Sequence, residues 1–223
     1  MDIATALRAR HATRAFTSNP VDLSLVRQLL DTAKHSPSGG NLQPWIVHVI
    51  VGSALEALVA DVSSRLERGE REKAEYAIYP PHLWEPLRSR RYRAGEQRYS
   101  ALGGTRESGA QLELERRNLR FFDAPVGLFF CVDRRAGPPQ WADVGMFMQS
   151  FMLLAVEQGL ASCPQEVWAN WPETVGHHLG LSDSVMLFAG MSLGYADDAS
   201  AMNAYRTERA GVDAFATFHV DRG

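Results

Sequence analysis

Cysteine is scarce: two in 223 residues, Cys131 inside an apolar run and Cys163 beside Pro164, neither a disulfide framework nor a metal-ligand spacing. With no identifiable partner to hold it as a thiolate, Cys163 reads as a small buried packing residue. No run approaches the roughly 18 consecutive apolar residues of a spanning helix. The stretch Met1 to Arg8 lacks the basic start and apolar core of a signal peptide. These absences point to a reducing, cytoplasmic setting without membrane insertion. Charge of one sign is lacking as well. The 23 Lys and Arg are interspersed with 26 Asp and Glu for a net charge of -3, which leaves no electrostatic footprint for nucleic acid or an anionic membrane. There is no His-Glu-x-x-His or Cys-x-x-Cys, and His177-His178 have no acid at metal spacing, so metal-dependent chemistry finds no support. Gly190-Met191-Ser192-Leu193-Gly194 has the letters of Gly-x-Ser-x-Gly but ends an apolar strand-like run, so Ser192 is not read as sitting in a nucleophile elbow and hydrolytic chemistry finds no support either. Neither a P-loop ending nor a Rossmann glycine triplet occurs, and without a Rossmann acid the nicotinamide preference is not readable.

What is present is a core: 45% of the residues are hydrophobic, ample for one domain over 1–223. Apolar spacing predicts a short helix over 3–9, stopping near Arg10, and a second one capped by Asp22 or Ser24 that must end before Pro37. A strand is expected over 45–51 and a helix over 55–66. The run Val126 to Val132 suits a central strand buried on both faces. Residues 141–160 form a helix apolar on more than one side, fit for a core or a subunit interface. A helix over 172–179 and a strand over 185–190 follow. Strands separated by helices give an α/β or α+β sheet. Residues 67–106 are strongly charged yet keep Tyr79, His82, Trp84 and Tyr92. They read either as a lid over a site or as a solvated helical face anchored by its aromatics.

Four stretches can carry chemistry. In Arg10-His11-Ala12-Thr13-Arg14 two guanidinium groups lie four residues apart without a neighbouring carboxylate, a fork of permanent charge suited to an anionic or acceptor-rich planar ligand. Alone, they equally suit a solvated helix end. In Pro37-Ser38-Gly39-Gly40-Asn41-Leu42-Gln43-Pro44 the glycines permit close backbone approach while Ser38, Asn41 and Gln43 offer polar groups. The third is Ser162-Cys163-Pro164-Gln165-Glu166. In the fourth, Asn203-Ala204-Tyr205-Arg206-Thr207-Glu208-Arg209, the arginines at 206 and 209 can clamp a phosphate or pair with Glu208 and nearby surface acids.

In order and separation, along nearly the whole chain, these stretches resemble the FMN-dependent nitroreductase family. The segment Tyr79-Pro80-Pro81-His82-Leu83-Trp84 and Phe121 to Gly127 are similar to members that reduce nitrobenzoate-type nitroaromatics. The resemblance implies an α+β, sandwich-like fold: a mixed, mostly antiparallel sheet flanked by helices, in a domain-swapped homodimer whose tail, 197–223, packs on the partner. It implies FMN as cofactor and NAD(P)H as co-substrate, with electron pairs passed to a small aromatic or quinone-like acceptor in ping-pong fashion. Arg10, His11, Ala12 and Arg14 would line the flavin's pyrimidine edge and ribityl phosphate. Pro37, Ser38, Gly39, Asn41 and Gln43 would come from the second subunit. Pro164, Gln165 and the Glu166 backbone would border the ring, with Asn118 at its edge, and Arg206 and Arg209 would hold the phosphate. Arg14 would stabilise the charge of reduced flavin, with no side-chain acid or base required. Tyr79, His82, Trp84 and Tyr92 would select the acceptor. Many relatives carry serine where this chain has Ala12, so that hydroxyl contact is missing. A quinone, flavin or ene reductase of the same fold, or a flavin-binding module without turnover, remain as alternative readings.

Overall fold

All of Val126–Val132 is buried, and its side chains alternate between two cores. Val126, Leu128, Phe130 and Val132 face one, Phe129 and Cys131 the other, as the two-residue period of a strand requires. This strand, β2 (Val126–Asp133), pairs with β1 (Ile46–Val51) on one side and β4 (Val185–Gly194) on the other; β3 (Ala161–Gln165) pairs with β4 at the edge. All these pairings are antiparallel, in the order β1-β2-β4-β3; the mixed character expected of the sheet reduces to one isolated parallel bridge, Ala12 to Ser162. The computed structural model describes residues 1–220. The last three residues of the expected 197–223 tail lie outside it.

One face of the sheet is covered by α2 (Leu23–Ala33) and α6 (Pro138–Glu157), through Val26, Leu29, Phe147, Phe151 and Met152. The opposite face is covered by α3 (Gly52–Glu67) and α7 (Pro172–Leu179), with Phe121 and Trp168 stacked at 4.6 Å between them and the sheet. Gly190 makes that stack possible: a Cβ there would stand 2.3 Å from Trp168. The resulting helix–sheet–helix layering is the expected sandwich-like α+β architecture. Helix α1 (Ile3–Ala9) packs on the end of α6, and the Met1 ammonium reaches Glu157 at 3.1 Å. Asp2 and Asp22 cap α1 and α2 with their carboxylates. Gly159 in the left-handed region marks where α6 has ended.

The excursion 67–106 holds α4 (Leu87–Ala101), with α5 (Ala110–Asn118) just beyond it. Its first part is tied to the body. Glu72 accepts from the Glu173 and Thr174 N–H groups at 2.7 and 3.1 Å, placing a carboxylate on the α7 N-terminus. Glu75 pairs with Arg134, and the Tyr76 hydroxyl donates to the Phe188 carbonyl while its ring packs on Trp141 and Phe188. Burial pushes the Tyr76 hydroxyl well above the usual phenol range. No helix among the described residues is long and apolar enough to cross a membrane. A short helix, α8 (Ala201–Ala204), precedes the tail.

Candidate functional site

Arg10 closes α1, its N–H donating to the Ala6 carbonyl at 2.9 Å, and the chain then runs along the open edge of β3. Thr13 N–H donates to Ser162 O at 3.0 Å on this edge, and Asp197 N–H donates to Ala15 O at 3.1 Å, so the loop is held between β3 and the segment leaving β4. Asn203, buried on α8, is the clasp. Its amide donates to Ala15 O at 2.8 Å and Asp197 O at 2.9 Å, and its Oδ1 accepts from Arg14 N–H at 2.7 Å. Every polar atom of this side chain is thus used to join two ends of the sequence.

The clasp gathers cations. The Arg14 guanidinium donates to the Tyr205 hydroxyl at 2.8 Å and to Ala12 O at 3.1 Å, and Arg206 donates to Asn203 O at 2.6 Å. Arg10 is depressed from its ordinary pKa by burial and then by the charge of Arg209. His11 Nδ1 lies 3.0 Å from Ala9 O; burial, aided by the charges of Arg206, Arg10 and Arg14, holds its imidazole below the ordinary range and therefore neutral at pH 7. Among the described residues, Arg10, Arg14, Arg206 and Arg209 form no ion pair. Arg10, Arg14 and Arg206 around His11, with Arg209 beside Arg10, make a cradle for an anion.

The glycine-rich loop lies elsewhere in the same chain. Its N-terminal side is fixed by Ser36, whose hydroxyl donates to Ser150 Oγ at 2.8 Å. Gly39 N–H donates to the buried Asp143 carboxylate at 3.2 and 3.3 Å. Ser38 Oγ accepts from Gln43 N–H at 3.0 Å, while Gly40, Asn41 and Gln43 all adopt positive φ, at 58°, 57° and 49°. Pro37, Gly39, Asn41, Leu42 and Gln43 are left exposed. Arg10 and His11, in contrast, border Val156 at the far end of α6. From Asp143 to Val156 the helix rises about 20 Å, at about 1.5 Å per residue. The structure therefore does not bring the loop to the arginine cradle of its own chain.

At the inner end of β3, Gln165 is 1% exposed and fully engaged: Nε2 donates to Asn118 O at 2.6 Å and Oδ1 at 2.7 Å, and Oε1 accepts from Ser192 Oγ at 2.8 Å. These bonds tie the inner end of β3 to Asn118 of α5 and to Ser192 of β4. Burial pushes the Glu166 carboxyl above its ordinary range. Tyr79, His82, Trp84 and Tyr92 are exposed. Asp143 escapes sequence reading, as do the roles of Asn203 and Tyr205 within the fourth stretch. The first is an isolated acid in an apolar helix, and the other two act only once residues 189 and 191 positions away are in place.

The profile of the Nitroreductase family matches residues 7–195. Over 216 residues, 95% of this chain and 94% of that protein, the sequence is 38% identical to the chloronitrobenzene nitroreductase of Comamonas testosteroni. It is 33% identical to the 4-nitrobenzoate reductase of Pseudomonas putida, over 97% of this chain and 95% of that protein. The FMN- and NADPH-dependent nitroreductase NfnB of Sphigopyxis sp. strain HMH superposes with a TM-score of 0.96 at 42% identity, covering 99% of this chain and 100% of that one. The FMN-dependent NfnB of Mycobacterium smegmatis, solved in complex with NADPH, superposes at 0.92 with 30% identity, over 98% of this chain and 100% of that one.

Proposed function

The chain belongs to the nitroreductase family, and from that premise we propose that it is an FMN-dependent oxidoreductase, passing electron pairs from NAD(P)H to nitroaromatic acceptors as a homodimer. The observation that carries this reading is the cradle of four arginines, drawn from both ends of the chain and none of them ion-paired among the described residues. FMN answers it on both counts, with a phosphate monoester for the guanidinium forks and an acceptor-rich pyrimidine edge. When bound, FMN supplies the two-electron chemistry. The protein's own part is to bind, orient and place charge. Arg10, Arg206 and Arg209 would hold the phosphate, with His11 and the Ala12 backbone beside them. Arg14, braced by Tyr205 and the Ala12 carbonyl, keeps a fixed positive charge at the pyrimidine edge, an electrostatic device that needs no side-chain acid or base. Pro164, Gln165 and Glu166 would border the ring, braced by Asn118 and Ser192.

The separation along α6 favours two copies. Pro37, Ser38, Gly39, Asn41 and Gln43 sit too far from the cradle of their own chain to share one ligand with it, so the partner's loop would complete each site. Leu42, 62% exposed, and the tail residues Phe215 and Phe218, each 72% exposed, supply apolar surface for such a partner. Tyr79, His82, Trp84 and Tyr92 project from the excursion as a lid that would choose the acceptor. The relatives named for chloronitrobenzene and 4-nitrobenzoate support small nitroarenes as acceptors; the two half-reactions would follow one another in ping-pong order. A cytoplasmic setting suits a consumer of NAD(P)H.

The visible absorption spectrum of the purified protein tests the reading. A yellow protein bleached by NADPH or NADH and recoloured by 4-nitrobenzoate supports it. A colourless protein that takes up no FMN at micromolar supply refutes it, and a yellow protein that neither reductant bleaches is a flavin-binding module instead.

A further inference from the structure

In a chain of net charge -3, α4 carries Arg88, Arg90, Arg91, Arg93 and Arg98 against a single acid, Glu96. Arg88 is paired with Glu85 at 2.8 Å, and Glu96 lies 3.5 Å from Arg106. Among the described residues the other four arginines of α4 form no ion pair. All four line one cleft of about 380 Å³, closed on its other side by Thr207, Glu208 and Arg209 of the C-terminal segment. Residues 90, 94 and 97 follow the helical repeat, so a single face of α4 forms the wall. Glu208 is the only carboxylate in the lining, against the four guanidinium groups of α4 and that of Arg209, which the flavin reading assigns to the FMN phosphate.

The cleft has an inner and an outer end. Arg98 is at the inner end: burial pushes the Tyr205 hydroxyl up, and the charges of Arg14 and Arg98 draw it back, so Arg98 stands beside the pair that braces the proposed flavin edge. Its Nε is buried without a hydrogen-bond partner. Arg90 and Arg91 lie about 11 Å further out along the helix axis. There the Arg91 guanidinium is held over the Tyr79 ring, 4.0 Å from its centroid, which limits the freedom lost when it grips a ligand. Like charges lining one cleft repel one another, and an anion seated among them relieves that repulsion.

We propose that this cleft takes the ribose 2′-phosphate of NADPH, and that the protein therefore selects NADPH over NADH. The inference rests on the FMN oxidoreductase reading above, which puts the nicotinamide at the inner end. Among the phosphates of the dinucleotide, the 2′-phosphate is the monoester: it carries between one and two negative charges and three free oxygens, as a cluster of unpaired guanidinium groups demands. The two pyrophosphate phosphorus centres carry one charge each and are common to NADH.

The deciding experiment compares 2′,5′-ADP with 5′-ADP by calorimetry on the FMN-loaded protein, and repeats it on the Arg90→Ala/Arg93→Ala double variant. The expected result is at least tenfold tighter binding of 2′,5′-ADP by the unaltered protein and loss of that preference in the variant. In steady state, KM for NADPH should rise about tenfold more than KM for NADH. Equal binding of the two nucleotides overturns the proposal, as does an equal rise in both KM values, which would assign the arginines to the pyrophosphate. Loss of FMN from the variant also overturns it, because the cleft would then serve the flavin's own phosphate. If the alanine pair does not fold, the comparison on the unaltered protein still decides. Calorimetry needs no turnover, so a protein that binds 2′,5′-ADP selectively but is never reduced refutes the oxidoreductase reading and leaves the subsite standing.

Discussion

The Arg14 guanidinium donates to the Tyr205 hydroxyl at 2.8 Å across 191 positions of sequence, while Arg14 N–H is held by Asn203 at 2.7 Å. One arginine is thus positioned at both backbone and side chain by residues from the opposite end of the chain. The charge it presents is fixed in space before any ligand arrives, the condition under which electrostatic stabilisation is strongest.

Removing that charge has a measurable consequence. Arg14→Ala should weaken FMN binding by roughly ten- to a hundredfold, the loss of about 1.5–3 kcal/mol that a hydrogen bond to a charged group contributes, or lower the flavin's two-electron potential by roughly 30 mV for each 1.4 kcal/mol. Tyr205→Phe, which frees the guanidinium without removing it, should have a smaller effect in the same direction. Flavin titration and equilibrium redox measurement check both; unaltered affinity and potential in Arg14→Ala would remove Arg14 from the site.

Asp143 ties the glycine-rich loop to α6 through the Gly39 N–H. Asp143→Ala leaves that donor without its acceptor and should lower stability by about 1–3 kcal/mol, or about 2–4 °C in Tm per kcal/mol for a domain of this size. Because the loop is proposed to serve the neighbouring subunit, the variant should also release FMN and dissociate at higher protein concentration than the parent. Sedimentation and flavin retention report this. A drop in Tm with dimer and flavin intact would confine the loop to a structural role.

Both cysteines are buried, and burial pushes the Cys131 thiol up to about 12; Cys163 is also raised, burial outweighing the opposing charges of Arg14, Arg98 and Arg10. A thiol raised by folding stays protonated, and unreactive, at pH values where the unfolded chain already holds thiolate. Between pH 7 and 9 the native protein should therefore react negligibly with a disulfide reagent, and the denatured protein should react at both positions with a rate that climbs with pH. Rapid modification of the native protein would contradict the buried, inert assignment.

The legible parts of the fold are those with an apolar rhythm. Helices α1, α2 and α7 and strand β2 fall where spacing and caps put them, because burial against the sheet demands that rhythm. Boundaries drift where packing extends an element: β4 runs on to Gly194 under β3, and α6 starts at Pro138, where proline suits the first turn. Strand β3 is illegible because Ala161–Gln165 contains Pro164 and no β-branched residue; it is accepted only as an edge strand. Helices α4 and α5 are rich in charge and carry no apolar stripe, so periodicity is silent there. In the candidate site, the arginines and glycines are visible as residue types. Their supports, Asp143, Asn203, Tyr205 and the Ser192–Gln165–Asn118 relay, exist only through long-range contacts that no local spacing encodes.

The Asn203 clasp has a consequence for biogenesis. Arg14 leaves the ribosome early, but the atoms that hold it are synthesised 189 positions later. A nascent chain therefore cannot build its anion cradle during most of translation, and prosthetic-group capture becomes a post-translational event, timed by the emergence of the last segment rather than by the folding of the sheet.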